Sequence, residues 1–120
     1  MKIITDKNEA LSAVRQDGRA LKFASDELRN DREVVLRAVE ENQSALQYAS
    51  EELRNDRKLV LKFLDPFYWV LKYASDELRN DRELVLKAVE ILYEAFLYAS
   101  EEMRNNKEIV LQVVKENSRT

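Results

Sequence analysis

Apolar residues fall into two recurring groups along this chain. The first is a dense run, Val34, Val35, Leu36, Ala38 and Val39, which covers a wide face of an α-helix. Such a face is expected where a helix packs between two neighbours. The second group is sparser, Ala45, Leu46, Tyr48 and Ala49, again at helical spacing. Polar residues that open helices stand between them. Asn30 or Asp31 offers a side-chain oxygen to the first amides of the dense run. Asn30 with Glu33 has capping-box spacing, as do Asn80 with Glu83 and Asn105 with Glu108, whereas Lys58 breaks it. Ser50 is placed to cap a further turn at Glu51-Glu52-Leu53, a candidate 3₁₀ turn.

Both groups belong to a repeat. The segment Ala24-Ser25-Asp26-Glu27-Leu28-Arg29-Asn30-Asp31-Arg32-Glu33 returns with few changes from Ala49, Ala74 and Ala99, each 25 residues after the last. A partial copy occupies residues 1–14; full copies span about 15–39, 40–64, 65–89 and 90–114, with a trailing fragment at 115–120. In the partial copy Ile3, Asp6, Lys7, Leu11 and Val14 align with Leu28, Asp31, Arg32, Leu36 and Val39. Neither end carries a dedicated cap, as expected of a piece of a longer array. One such unit cannot bury its apolar faces alone, but stacked copies can. The expected fold is therefore all-α, a single α-solenoid domain of helix-pair repeats over 1–120.

Composition narrows the function. Hydrophobic residues make up 45 % and charged residues 36 %, with one Gly and one Pro, which suits a charged-surface helical protein. The net charge of −3 disfavours nucleic acid and anionic membranes as partners. With neither Cys nor His, thiolate sites and the commonest general base and metal ligand are missing. Met1 to Asp6 lacks the apolar core of a signal peptide, and no apolar run reaches spanning length, so a cytoplasmic setting is expected.

The pattern Ala-Leu-x-Tyr-Ala-Ser-Glu-Glu-Leu-Arg-Asn-Asp-Arg, carried by Ala45 to Arg57, resembles the repeat family known as domain of unknown function 4116. The resemblance covers nearly the whole chain. It implies a helical repeat array and brings no catalytic activity, cofactor or metal. It also implies a polar junction after the long helix, usually with a Gly. Copy one fits with Gln16-Asp17-Gly18-Arg19, and copy two nearly fits with Glu41-Asn42-Gln43-Ser44.

The later copies depart. Copy three reads Asp65-Pro66-Phe67-Tyr68-Trp69-Val70, and copy four reads Glu90-Ile91-Leu92-Tyr93-Glu94-Ala95. Leu97 stands where Lys22, Gln47 and Lys72 stand, and Phe63 where Ala38 and Ala88 stand. On an α-helical count Tyr68, Trp69 and Lys72 share a stripe that is polar in the first copies, and Tyr93 and Leu97 extend it one repeat on. These four apolar residues are the candidate protein contacts, with Phe67, Leu92 and Phe96 supporting them from the core side. The competing reading is an enlarged core, favoured for Phe63, Phe67 and Phe96. Asp65 as cap with Pro66 at the first helical position predicts a helix start there. Copy four has no breaker between Arg82 and Tyr98, which predicts two nearly continuous helices. An aromatic cluster confined to two copies of a uniform array is also the pattern of an engineered binder; the alternative is a homodimer burying the same patch.

Other constellations are weaker. Arg29, Arg54, Arg79 and Arg104 recur with the period, with Arg32, Arg57 and Arg82 beside them, and could follow a phosphate backbone, but each sits among acids, which predicts salt-bridge ladders instead. The repeated carboxylates Asp26-Glu27, Glu51-Glu52, Asp76-Glu77 and Glu101-Glu102 lack the one distinct environment that a catalytic acid or metal site needs. Phe23, Tyr48, Tyr73 and Tyr98 read as core spines. No enzyme, cofactor or small-molecule substrate is expected.

Overall fold

The structure, a computed structural model, describes residues 2–118. Met1 of the partial copy and Arg119 and Thr120 of the trailing fragment lie outside them. The described residues form an all-α repeat array, an α-solenoid. Each copy contributes a long helix, a six-residue 3₁₀ segment and a four-residue helix, so the expected helix pair carries a third piece. Packing divides the chain at Leu59/Val60 into two compact units. In the first, the helices are α1 (Lys7–Gln16), α2 (Asp26–Arg29), α3 (Arg32–Glu41) and α4 (Glu51–Arg54). Helix α5 (Arg57–Leu64) crosses the division, and the second unit continues with α6 (Asp76–Arg79), α7 (Arg82–Ile91), α8 (Glu101–Arg104) and α9 (Lys107–Ser118). The 3₁₀ segments are Gly18–Phe23, Gln43–Tyr48, Tyr68–Tyr73 and Tyr93–Tyr98.

Asp31 and Asp81, not Asn30 and Asn80, cap α3 and α7. Asp31 is extended and its carboxylate accepts the Val34 N–H at 3.2 Å; Asp81 does the same for Leu84 at 2.9 Å. Asn30 instead closes α2 with near-helical backbone angles, so the expected Asn–Glu capping box does not form. At φ −104° and ψ 8° Asn30 is not in the extended conformation that an N-cap takes. Ser25, Ser50, Ser75 and Ser100 each cap a short helix, accepting the N–H of Leu28, Leu53, Leu78 and Met103 at 3.2–3.3 Å. These short helices are α-helical rather than the expected 3₁₀ turn; the 3₁₀ segments hold the second apolar group.

Neighbouring repeats within each unit are tied in the same way. The Ser50 N–H donates to the Arg29 carbonyl and the Ser100 N–H to the Arg79 carbonyl, both at 2.9 Å. Their hydroxyls donate to the side chains of Asn30 and Asn80. At the starts of the long helices, Lys7 pairs with Asp31 at 3.1 Å and Glu33 at 3.0 Å, and Arg32 pairs with Asp56. Asn106 replaces the acid in copy four, and there Arg82 pairs with Glu108 instead. The expected salt-bridge ladder is thus present in Arg32 and Arg82, and Arg29 closes on Asp26 within its own helix.

The core follows the dense run. Val34, Val35, Ala38 and Val39 are buried with Leu21, Ala45 and Leu46 in the first unit. Leu84, Val85, Ala88 and Val89 are buried with Val70, Leu71 and Ala95 in the second. Phe23, Tyr48, Tyr73 and Tyr98 are only half-buried, so they edge the core rather than form its spine. Gly18 is buried because the chain passes close to the next helix. A Cβ there would lie 2.3 Å from the Ala38 carbonyl oxygen and 3.0 Å from the Asn42 amide nitrogen. Its backbone angles are ordinary, so space is what selects glycine.

Two measurements check this packing. Gly18→Ala should lower stability by about 1–3 kcal/mol, read as a lower melting temperature, because backbone must move to admit the methyl. Asp56 supplies the second. Partial burial pushes its carboxyl up, but the Leu59 N–H and the Arg32 guanidinium outweigh that and hold it below the ordinary carboxylate range. A carboxyl depressed on folding stabilises above its unfolded value of about 3.9, and the contribution is lost as pH falls through that value and below. Asp56→Asn keeps a capping oxygen, as Asn106 does for Ile109 at 3.2 Å. Its melting temperature should therefore decline less steeply than wild type below about pH 4.

Candidate protein-binding surface

The long helix must stop before its 3₁₀ segment, and one backbone bond marks the stop in every copy. The N–H of Asp17, Asn42, Phe67 and Leu92 donates to the carbonyl four residues back, at 2.9–3.2 Å. Asp17, Asn42 and Leu92 then turn extended, with φ between −153° and −155°. Asp17 and Asn42 also cap the 3₁₀ segment, accepting the Arg19 and Ser44 N–H at 3.0 Å. Leu92 has no oxygen to offer, yet it adopts the same angles. The expected continuous helix from Arg82 to Tyr98 is therefore broken at Leu92. The capping residue is dispensable because Ala88, Val89 and Ala95 can all be buried only if the chain turns there.

Copy three differs. Helix α5 ends at Leu64, before a cis Asp65–Pro66 peptide, and Phe67 precedes the 3₁₀ segment with φ −90° and ψ 60°. Pro66 is thus not the first residue of a helix, contrary to the expected start. The residue before a proline is pushed away from helical angles, which ends α5 early.

The 3₁₀ geometry redraws the candidate stripe. In such a segment side chains at i and i+3 eclipse. Trp69 aligns with Lys72, and in copy four Glu94 aligns with Leu97. Tyr68 aligns with buried Leu71, and Tyr93 with half-buried Phe96. Counting at the α-helical period merged these two rows into one. Leu97 alone of the four candidates is fully exposed, at 70 %; Tyr68, Trp69 and Tyr93 are half-buried. Phe67, Leu92 and Phe96 are half-buried as well, while Phe63 is buried and belongs to the core.

The rings form a joined cluster. Trp69 meets Phe67 edge-on with centroids 5.2 Å apart and Tyr68 edge-on at 5.5 Å. Tyr68 stacks on Tyr98 of the next 3₁₀ segment at 6.4 Å. Tyr98 is a partner that the comparison of copies missed, because a residue constant in class draws no attention. On the same segments Lys72 lies over the Tyr73 ring at 5.6 Å and Glu94 is exposed. The four clustered rings are half-buried, at the surface of copies three and four. Among the described residues no group of three or more His, Cys, Asp or Glu converges to hold a metal ion. No described helix is long and apolar enough to cross a membrane.

Replacing candidates with the residues of copy two separates their roles. Leu97→Gln should move stability by no more than about 0.5 kcal/mol, as at other exposed sites. Tyr68→Gln should cost about 1–3 kcal/mol, since it removes two ring contacts. Thermal melts of both variants give the comparison.

Comparison with known proteins bears on the whole array. No curated protein and no solved structure matches the chain. The profile of the family described as domain of unknown function (DUF4116) matches residues 6–54, 31–65, 56–100 and 81–120. Those overlapping matches follow the repeats from end to end, and the chain belongs to the DUF4116 family.

Proposed function

We propose that this protein is a cytoplasmic protein–protein interaction module that binds another protein through copies three and four. Trp69 and Leu97 make the central contacts, Tyr68 and Tyr93 flank them, and Phe67, Leu92 and Phe96 hold them from beneath. The observation that carries the reading is Leu97, 70 % exposed, one residue before the Tyr98 that stacks on Tyr68, at a position where sibling copies have Lys22, Gln47 and Lys72. Trp and Tyr are the residues most enriched at binding hot spots, and rings already locked by neighbours lose little freedom on binding. Confinement of the change to two copies supports a surface altered for binding, by design on a repeat scaffold. The salt bridges of Arg32 and Arg82 leave little for a phosphate backbone.

Cross-linking from whole extract followed by affinity measurement tests this, with molar mass by light scattering to detect a self-pair. Trp69→Ala should weaken binding by about 2 kcal/mol or more, roughly thirty-fold. Arg19→Ala, at the aligned position in copy one, should change little, and moderate salt should change little. Binding that survives Trp69→Ala and collapses in salt would transfer the site to the arginines.

A further inference from the structure

The short helices α2 and α6 have the same sequence, Asp-Glu-Leu-Arg, yet their arginines make different bonds. The backbone register is shared: the Arg29 carbonyl accepts the Ser50 N–H and the Arg79 carbonyl the Ser100 N–H. The side chains diverge. In the first unit the Arg29 guanidinium closes on Asp26 of its own helix, and its buried Nε has no hydrogen-bond acceptor among the described residues. The Arg54 Nε is likewise buried without one among them. In the second unit Arg79 stands back from Asp76, at 3.7 Å, and its Nε donates to the Tyr98 carbonyl of the following repeat at 2.7 Å. Carbonyls at the end of a helical segment have no partner inside it, so this bond fills a place that local structure leaves open. It is also charge-assisted, and such bonds are roughly twice as strong as neutral ones.

What hangs on that carbonyl also differs between the units. Tyr48 and Tyr98 hold the same place, the last residue of their 3₁₀ segments. The Tyr98 ring stacks on Tyr68 with the two planes 24° apart, and Tyr68 in turn meets Trp69. In the first unit Gln43 stands at the Tyr68 position and donates its amide to the Val39 carbonyl of its own copy, at 3.2 Å. Tyr48 has no ring there to meet. The arginine therefore reaches the tyrosine backbone in the unit where that tyrosine carries a ring stack. It turns back on its own helix in the unit where no such stack exists.

We propose that Arg79 is a positioning residue for the binding surface: by holding the Tyr98 carbonyl it fixes the ring against which Tyr68, and through it Trp69, is packed. This role rests on the reading of Trp69 and its neighbours as that surface. Comparison of copies does not mark Arg79 out, because arginine recurs at 29, 54, 79 and 104. Two further bonds secure the same stretch of chain. The Ser100 N–H donates to the Arg79 carbonyl, and the Ser100 hydroxyl to the Asn80 side chain. Tyr98 to Ser100 is thus held at three points, all on Arg79 or the residue after it. A ring oriented in the free protein loses less freedom when a partner covers it.

Trp69 is the sole tryptophan, so its fluorescence reports on the cluster with no partner present. Arg79→Met keeps an apolar stem and removes the donor. It should red-shift Trp69 emission and raise its quenching by acrylamide to the level of Tyr98→Ala, with the helical circular dichroism signal retained. Arg29→Met removes the matched guanidinium where no ring stack depends on it, and should leave Trp69 unchanged. Acting through the Tyr98 ring, the two changes should not add: Arg79→Met in a Tyr98→Ala background should move Trp69 no further. Wild-type emission in Arg79→Met, or effects that add in full, overturns the proposal. Should Arg79→Met fail to fold, wild type decides: a scalar coupling from the Arg79 Nε to the Tyr98 carbonyl carbon is expected by NMR, and its absence overturns the proposal. Trp69→Ala that binds as tightly as wild type sinks the surface and with it the role of Arg79 in binding, whereas unchanged emission sinks the role of Arg79 alone.

Discussion

The long helices α3 and α7 carry apolar side chains on both of their packing faces, and only a neighbouring repeat can cover them. The remaining structure follows from that constraint. Val34 and Val35 are adjacent in sequence yet look toward opposite neighbours: at the Val34 position Glu9 is exposed and Ile109 buried, at the Val35 position Ala10 is buried and Val110 exposed, so one helix pair cannot bury both. The burial of one such side chain is worth about 1.5–3 kcal/mol, and it recurs along α3 and α7. Against that sum, the hydrogen bonds and ion pairs between repeats act mainly to fix register. Ser50 on Arg29 and Ser100 on Arg79 set the same rise in each unit.

Register fixed in this way explains why the junction tolerates such different residues. Asp17 and Asn42 bring capping oxygens to it, and Leu92 brings none, but all three adopt the same extended angles. A side-chain cap contributes on the order of 1 kcal/mol, less than the burial that depends on the turn. The positions freed from capping in copies three and four can then carry rings. Trp69 packs on Phe67 and Tyr68, and Tyr68 on Tyr98, beside a helix α5 that ends two residues short of α3 and α7 in length.

The ion pairs follow the same logic at a smaller scale. Lys7 and Arg32 reach the capping aspartates of the next repeat, and Asp31 is held below the ordinary carboxylate range against the opposing effect of burial by the Val34 N–H and Lys7. Where Asn106 removes the acid, Arg82 moves to Glu108 rather than standing alone. Partly exposed pairs of this kind contribute little each, but they select the partner that carries an acid at the right step.

The sequence by itself determined the period, the helical class, the division of each copy into an apolar run and a polar junction, and the places where copies three and four break the pattern. These were legible because four aligned copies act as controls for one another, and hydrophobic spacing reports burial directly. It also pointed to Ser50 as a cap and to Phe63 as core. Tertiary structure decided the rest. Whether Asn30 or Asp31 caps α3 depended on α2 ending at Asn30, a helix too short to show a period. The 3₁₀ form of Tyr68–Tyr73 and Tyr93–Tyr98 moved Trp69 and Tyr68 onto different rows, because a period of 3.0 and one of 3.6 cannot be told apart over six residues. The break at Leu92 was invisible locally, since no residue there breaks a helix; only the burial of its neighbours against adjacent repeats requires the chain to turn.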